Sequence, residues 1–362
     1  MLENDTIIQS IRLLDQGKQP NLSEAELAEF VQLLSAHHCY YLLSKLQSQF
    51  KLLLLEKVAT ARNKVRLEAM YSQCENVFRD VNESGIAYAV FKGTLLSEAA
   101  YLGSQFRRSS DIDILIQKKD LKDLTSILKN IGFIQGRLVD GVITPFTRNQ
   151  IIYHNSMTHQ TAPFIKENDS PLCPYLNVDI NFDVMWGESG ITSDMDYVLS
   201  HNQPSGIFNI NTSKLSTEMD FVAVCLHHYK DMNSIFMLHL SRFSLSLLCD
   251  IFYFIKNNDD KIFLEVLVSI CRNVKVTEYV YYCVYYAAAV FANDILDKYL
   301  SALYTPEGEA LLNKFGLNDI EHREWTMDFY DRLFGNDFQG RFRNLLSEAD
   351  IQKITANEAM MN

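Results

Sequence analysis

The chain has no C-x-x-C pair. Its cysteines, Cys39, Cys74, Cys173, Cys225, Cys249, Cys271 and Cys283, are scattered and odd in number. That argues against a disulfide framework or a structural zinc site, and for buried thiols in a reducing compartment. Long apolar runs are also missing: the longest, Tyr279 to Ala292, is tyrosine-rich and too short to span a bilayer comfortably. The stretch Met1-Leu2-Glu3-Asn4-Asp5 lacks the basic and apolar regions of a secretory signal, so the expectation is a cytoplasmic protein with no membrane partner. Positive charge is scarce, with 33 basic against 45 acidic residues and a formal charge of −12. An extended nucleic-acid footprint needs a basic stripe, which makes nucleic acid the less favoured partner and a small, peptide or cationic one the more favoured. Proline is rare, and five of the seven lie between Pro145 and Pro204. The middle is therefore predicted to be strands and loops, with both flanks free to be helical.

Ser23 and Glu26 have the spacing of a capping box, and Leu27, Phe30, Val31 and Leu34 continue as a helix. Helical periodicity returns from Leu52 to about Val81 and ends at Asn82-Glu83-Ser84-Gly85. A strand from Ala87 to Phe91, a helix from Leu95 to Tyr101, a polar loop from Gly103 to Ser110 and a strand to Ile116 follow. Leu121, Leu124, Ile127, Leu128 and Ile131 then share one helical face, stopped by Gly132. From about Ser216 the pattern is helical again. One long helix is expected from Ile235 to Ile255, further helices to Leu346, and fraying from about Ile351. The order predicts an α/β (α+β) unit with a mixed sheet at 85–212, between an N-terminal helical region (1–84) and a C-terminal helical domain (213–362).

The chemistry concentrates at Asp111-Ile112-Asp113-Ile114. On a strand, residues two apart share a face roughly 7 Å apart, so the two carboxylates project together while the isoleucines anchor the core. Like charges held side by side cost stability unless a cation sits between them, and an oxygen-only donor set suits Mg²⁺, with Mn²⁺ as the substitute. Val178-Asp179-Ile180-Asn181-Phe182-Asp183 brings a second acidic strand, on which Asp179 and Asp183 share parity and stay open alternatives for a third carboxylate. Lys92 either steers an anion or neutralises these acids. Gly93 and Thr94 are either a phosphate-approaching helix start or a plain strand-to-helix turn. Of Arg107 and Arg108, one is expected to clamp a phosphate and the other to form a structural salt bridge. His227, His228 and His239 read as core or interface histidines, and Tyr279, Tyr281, Tyr282, Tyr285 and Tyr286 as a packed helix.

Lys92-Gly93, Tyr101, Arg107 and Asp111-Ile112-Asp113-Ile114, in that order, resemble the nucleotidyltransferase superfamily of which DNA polymerase β is the prototype. Within it they are similar to the bacterial branch of uncharacterised nucleotidyltransferases. In that branch a later strand reads hydrophobic-Asp/Glu-hydrophobic-His-Trp; here Asn181 and Phe182 stand in the last two places. Leu226-His227 and Asp250 match its Leu-His element and its later helix aspartate. The resemblance covers roughly residues 60 to 255. It implies a nucleotidyltransferase palm, with Asp111, Asp113 and Asp179 catalytic and binding two Mg²⁺ ions. Lys92, Gly93, Thr94, Arg107 and Arg108 would bind the nucleotide. The implied reaction transfers NMP, first of all AMP from ATP, to a hydroxyl of a small-molecule or peptide/protein acceptor, releasing pyrophosphate. A nucleotide-binding module without turnover and a kinase-like phosphotransferase are the alternatives.

Overall fold

Asp113 sits near the middle of an eight-stranded mixed sheet, in a computed structural model that describes residues 2–46, 51–318 and 322–361. The strands are β1 (Tyr88–Phe91), β2 (Ile112–Ile116), β3 (Ile134–Val139), β4 (Val142–Pro145), β5 (Phe164–Glu167), β6 (Tyr175–Asn181), β7 (Asn202–Ile207) and β8 (Ile210–Leu215). Their order is β4-β3-β5-β6-β2-β1-β8-β7. β2 runs antiparallel to β1 and parallel to β6, which puts Asp113 opposite Phe91 on one side and opposite Asp179 on the other.

Helices α1 (Asn4–Asp15), α2 (Glu24–Ala36), α3 (Tyr40–Lys45), α4 (Lys51–Gln73) and α5 (Glu75–Ser84) precede the sheet. The capping box at Ser23 and Glu26 opens α2 as its spacing predicts, and Gly85, at φ +74°, closes α5. Inserted between strands are α6 (Gly93–Tyr101), α7 (Leu121–Asn130), α8 (Arg148–Met157) and α9 (Met195–Ser200). After the sheet come α10 (Thr217–Asn233), α11 (Ile235–Leu240), α12 (Leu245–Asn258), α13 (Leu264–Val274) and α14 (Thr277–Phe291), then shorter elements.

The period-2 pattern of the central strands divides two cores. Tyr88, Val90, Ile112, Ile114, Ile116, Val178 and Ile180 face one way and pack on Leu67, Tyr71, Phe78, Leu124 and Leu128 from α4, α5 and α7. Ala89, Phe91 and Leu115 face the other, joining a larger core that includes Ile11, Phe30, Leu226, Ile251, Phe252 and Phe291. N-terminal and C-terminal helices thus share one body. Arg12 in α1 donates through Nε to Val290 O (2.8 Å) and through Nη2 to Ala289 O (2.9 Å), satisfying carbonyls at the C-terminus of α14. Four of the five tyrosines of α14 are buried in this body, so it is a packed helix.

Three sequence expectations are corrected. The middle segment is not free of helix: Thr147 and Gln150 form a second capping box and open α8. Pro145 precedes that helix and so does not break it. The expected helix from Ile235 to Ile255 is two helices, separated at Ser241–Ser244. There Ser244 Oγ donates to His37 O at 2.6 Å and accepts from Ser246 N, restarting the chain as α12. The stretch from Ile351 is not frayed either; it belongs to a helix, Glu348–Met361, pinned by buried Ile354 and by Tyr153 OH donating to Asn357 Oδ1 at 2.9 Å.

Near the start of α10, Asp220 is buried with Oδ1 lacking a hydrogen-bond partner. Burial pushes its carboxyl up to about 7, against the pull of Lys214. The folded state therefore keeps a proton that the unfolded chain releases near 3.8, so this group's contribution to stability is lost as pH rises from there through about 7. Asp220→Asn is expected to melt higher than the parent at about pH 8. The gap should narrow steadily toward pH 4 in thermal melts; a constant gap would contradict this account.

Candidate active site

Asp111 is the last residue before β2, and Asp113 the second within it. Ser109 fixes the approach, its Oγ donating to Asp111 O at 2.9 Å and lying 3.4 Å from Asp111 Oδ1. Asp179 stands beside Asp113 on the neighbouring strand, in register. All three carboxylates are half-buried, and they repel one another. Burial, then the charges of Asp113 and Asp111, push the Asp179 carboxyl up to about 7, while Lys92 and Lys230 pull against them. Asp111 is raised by the same two causes, burial and Asp113, with Lys92 and Arg107 opposing.

Lys92 supplies the direct compensation. Its Nζ lies 3.3 Å from Asp113 Oδ1 and 3.5 Å from Asn181 Oδ1, and Asn181 Nδ2 donates to the same Asp113 oxygen at 3.2 Å. Of the two readings for Lys92, neutralising the acids is the contact present. Lys92 and Gly93 both have positive φ (59° and 45°), a backbone that costs on the order of 1–3 kcal/mol for the lysine. A Cβ on Gly93 would come 2.8 Å from Ser109 Oγ, so the glycine lets the start of α6 press against the 109–111 segment. Thr94, in the first turn, is wholly buried.

Asp183 lies past the end of β6, where strand parity no longer holds. Its carboxylate accepts from Met185 N (2.9 Å) and Ser193 N (3.1 Å), bracing the loop after the strand. Asp179, not Asp183, is the residue brought beside the Asp111–Asp113 pair. Arg107 Nε donates to Asp250 Oδ2 at 3.1 Å. Arg108 is exposed, its guanidinium 5.0 Å above the Tyr40 ring. His228, next to the expected Leu226-His227, is the histidine that reaches Asp250, at 3.0 Å; His227 pairs with Asp231 at 3.4 Å and His239 lies 3.9 Å from Glu358.

Sequence reasoning missed Lys230, His159, Asn63 and Arg66. Lys230 lies three residues after His227 on α10, so helical spacing alone brings it to the same side. With Lys92, His159, Asp183 and His227 it lines a small enclosed space, adjoined by a cavity of about 370 Å³ that shares His159 and Asp183. Burial, then the nearby lysines, hold His159 and His227 well below the usual imidazole range, so both are neutral donors or acceptors. Asn63 and Arg66 on α4 donate to the backbone carbonyls of Gln105, Arg107 and Ser109, holding the loop that delivers Asp111. No local motif announces these two.

Among the described residues no group of three or more His, Cys, Asp or Glu side chains is gathered tightly enough to hold a metal ion by itself. The donor chemistry nevertheless fits Mg²⁺. The carboxylates offer only oxygen, their mutual repulsion favours a cation, and Mg²⁺ commonly takes one or two carboxylates and completes its shell with phosphate and water.

No curated protein matches the chain in sequence. A family model described as uncharacterised nucleotidyltransferase matches residues 23–292, well over half of the chain and the whole of the sheet with its carboxylates. The chain belongs to that family and is an enzyme of the nucleotidyltransferase class.

Proposed function

We propose that the chain transfers a nucleoside monophosphate, AMP from ATP as the first candidate, to a hydroxyl of a small-molecule or peptide/protein acceptor with release of pyrophosphate. The observation that carries this reading is the register of Asp113 against Asp179, with Asp111 at the mouth of the same strand. Asp111, Asp113 and Asp179 would hold one or two divalent ions, Mg²⁺ before Mn²⁺, which stabilise the leaving pyrophosphate and make the attacking hydroxyl more acidic. Lys92 orients Asp113 and, with Arg107 and Arg108, offers positive charge to the triphosphate. Gly93 lets the start of α6 press against the 109–111 segment, and Gly93 and Thr94 would meet the nucleotide there. We assign the acceptor to the space lined by His159 and Lys230, since the Lys230 charge reaches Asp179. The formal charge of −12 supports an acceptor other than nucleic acid. We place the enzyme in the cytoplasm: all seven cysteines are buried free thiols, and no helix among the described residues is long and apolar enough to cross a membrane.

Asp111→Asn, Asp113→Asn and Asp179→Asn are each expected to lower metal-dependent pyrophosphate release at least about 100-fold in an acceptor screen with labelled NTPs. Asp183→Ala should leave turnover within a few fold and cost stability, about 1–2 kcal/mol for two lost backbone contacts. Full activity in Asp179→Asn together with loss in Asp183→Ala would reverse the assignment. ADP rather than pyrophosphate as product would make the enzyme a phosphotransferase.

Gly93→Ala tests the helix start separately. The added methyl meets Ser109 Oγ at 2.8 Å and strains φ +45°. Pyrophosphate release should fall by more than about tenfold while the fold survives by circular dichroism.

A further inference from the structure

We propose that Asp250 is a positioning residue that presents Arg107 to the triphosphate, an inference that rests on the nucleotidyltransferase reading. Asp250 lies in α12 with its side chain 1 % exposed. Its Oδ1 accepts from Tyr101 OH at 2.6 Å, and its Oδ2 accepts from Arg107 Nε at 3.1 Å and from His228 Nε2 at 3.0 Å. His228 Nδ1 has no hydrogen-bond partner. A ring that donates through Nε2 serves an ionised Asp250. Burial alone would raise the Asp250 carboxyl, but Arg107, His228 and Tyr101 hold it below the usual carboxylate range.

A buried ion pair of this kind is a poor stabiliser compared with apolar packing, so its geometry is the feature to explain. Asp250 takes the guanidinium by Nε. The two Nη groups make no hydrogen bond to the described residues, the side chain is 21 % exposed, and its charge reaches Asp111 and Asp113. The same carboxylate grips Tyr101, at the far end of the helix that begins at Gly93. Between the two grips the chain reverses at Leu102, whose φ of +56° is a strained turn for a non-glycine residue. Asp250 therefore sets both ends of the segment linking α6 to the Asp111 loop. It leaves the planar edge of Arg107 for phosphate oxygens.

The test is calorimetric binding of the four α,β-methylene NTP analogues, which cannot release pyrophosphate, in the presence of Mg²⁺. Asp250→Asn and Arg107→Gln are each expected to weaken binding about tenfold, and the double variant no more than either single one. Additive losses, or unchanged binding in a folded Asp250→Asn, would overturn the proposal. Should Asp250→Asn not fold, Arg107→Lys decides: it keeps the charge but cannot be held at Nε while offering two further donors, so binding should stay weak. Parent-like binding in Arg107→Lys would sink the idea. Failure of the parent to bind any analogue would instead remove the nucleotidyltransferase reading on which this one stands.

Discussion

Asp113 and Asp179 face each other on adjacent strands with Asp111 close by, and stability alone would not put three carboxylates there. Burial, and after it the charges of Asp113 and Asp111, push the Asp179 carboxyl up to about 7. Cross-strand like charges weaken a sheet, and half-buried ones weaken it further because water screens them less. The opposite face of the same strands carries Ile112, Ile114, Val178 and Ile180, each nearly or wholly inaccessible. Those side chains fix the register that holds the acids in opposition, since a slip of one residue would turn the isoleucines out and the aspartates in. The apolar face and the charged face are thus one device. Burial on one side holds repulsion on the other.

The helices around the sheet make sense as responses to that charge. Lys92 is placed by a backbone with positive φ, held by its contacts to Asp113 and Asn181. Lys230 comes from α10 and Arg107 from the loop before β2, and each shifts a site carboxylate without touching it. α4 and α12 hold that loop from two directions, one through its carbonyls and the other through the Arg107 side chain. Because α1 and α14 are bonded to each other, the segments before and after the sheet close on it as one body.

Much of this was legible in the sequence, because the informative signals are local. Alternation around Asp111–Ile114 fixes which residues share a face, the Ser23–Glu26 spacing fixes a helix start, and Gly85 and Gly132 mark ends. What was not legible depends on residues far apart in the chain. The link of Arg107 to Asp250 spans 143 positions, and the hold of Asn63 on the Arg107 carbonyl spans 44. The family pattern contains Arg107 and Asp250 separately but does not say that they meet, and Asn63 has no motif at all. The break at Ser241–Ser244 failed for a related reason: Ser244 is stabilised by His37, which lies 207 residues upstream. The α8 helix is a different case. Its signal is local, a capping box at Thr147 and Gln150, but it sits among the prolines from which strands and loops were expected.

Asn181 carries the last step. It shares parity with Asp179, yet it is an amide, and its two ends do opposite work: Oδ1 faces Lys92 while Nδ2 donates to Asp113. A fourth acid there would have added repulsion to a face already short of cations; an apolar residue would have left Lys92 with one partner fewer. With the amide in place, Lys92 offsets Asp113 in contact while Lys230 and Arg107 act on Asp179 and Asp111 at range, and Arg107 is itself paired with Asp250, so the acids outnumber the cations that face them. A triphosphate entering such a site would meet an excess of negative charge, which Lys92 and the free edge of Arg107 offset only in part. In the proposed reaction Asp111, Asp113 and Asp179 would therefore need a divalent ion to accept the nucleotide beside them, and that ion would supply the positive charge the protein lacks.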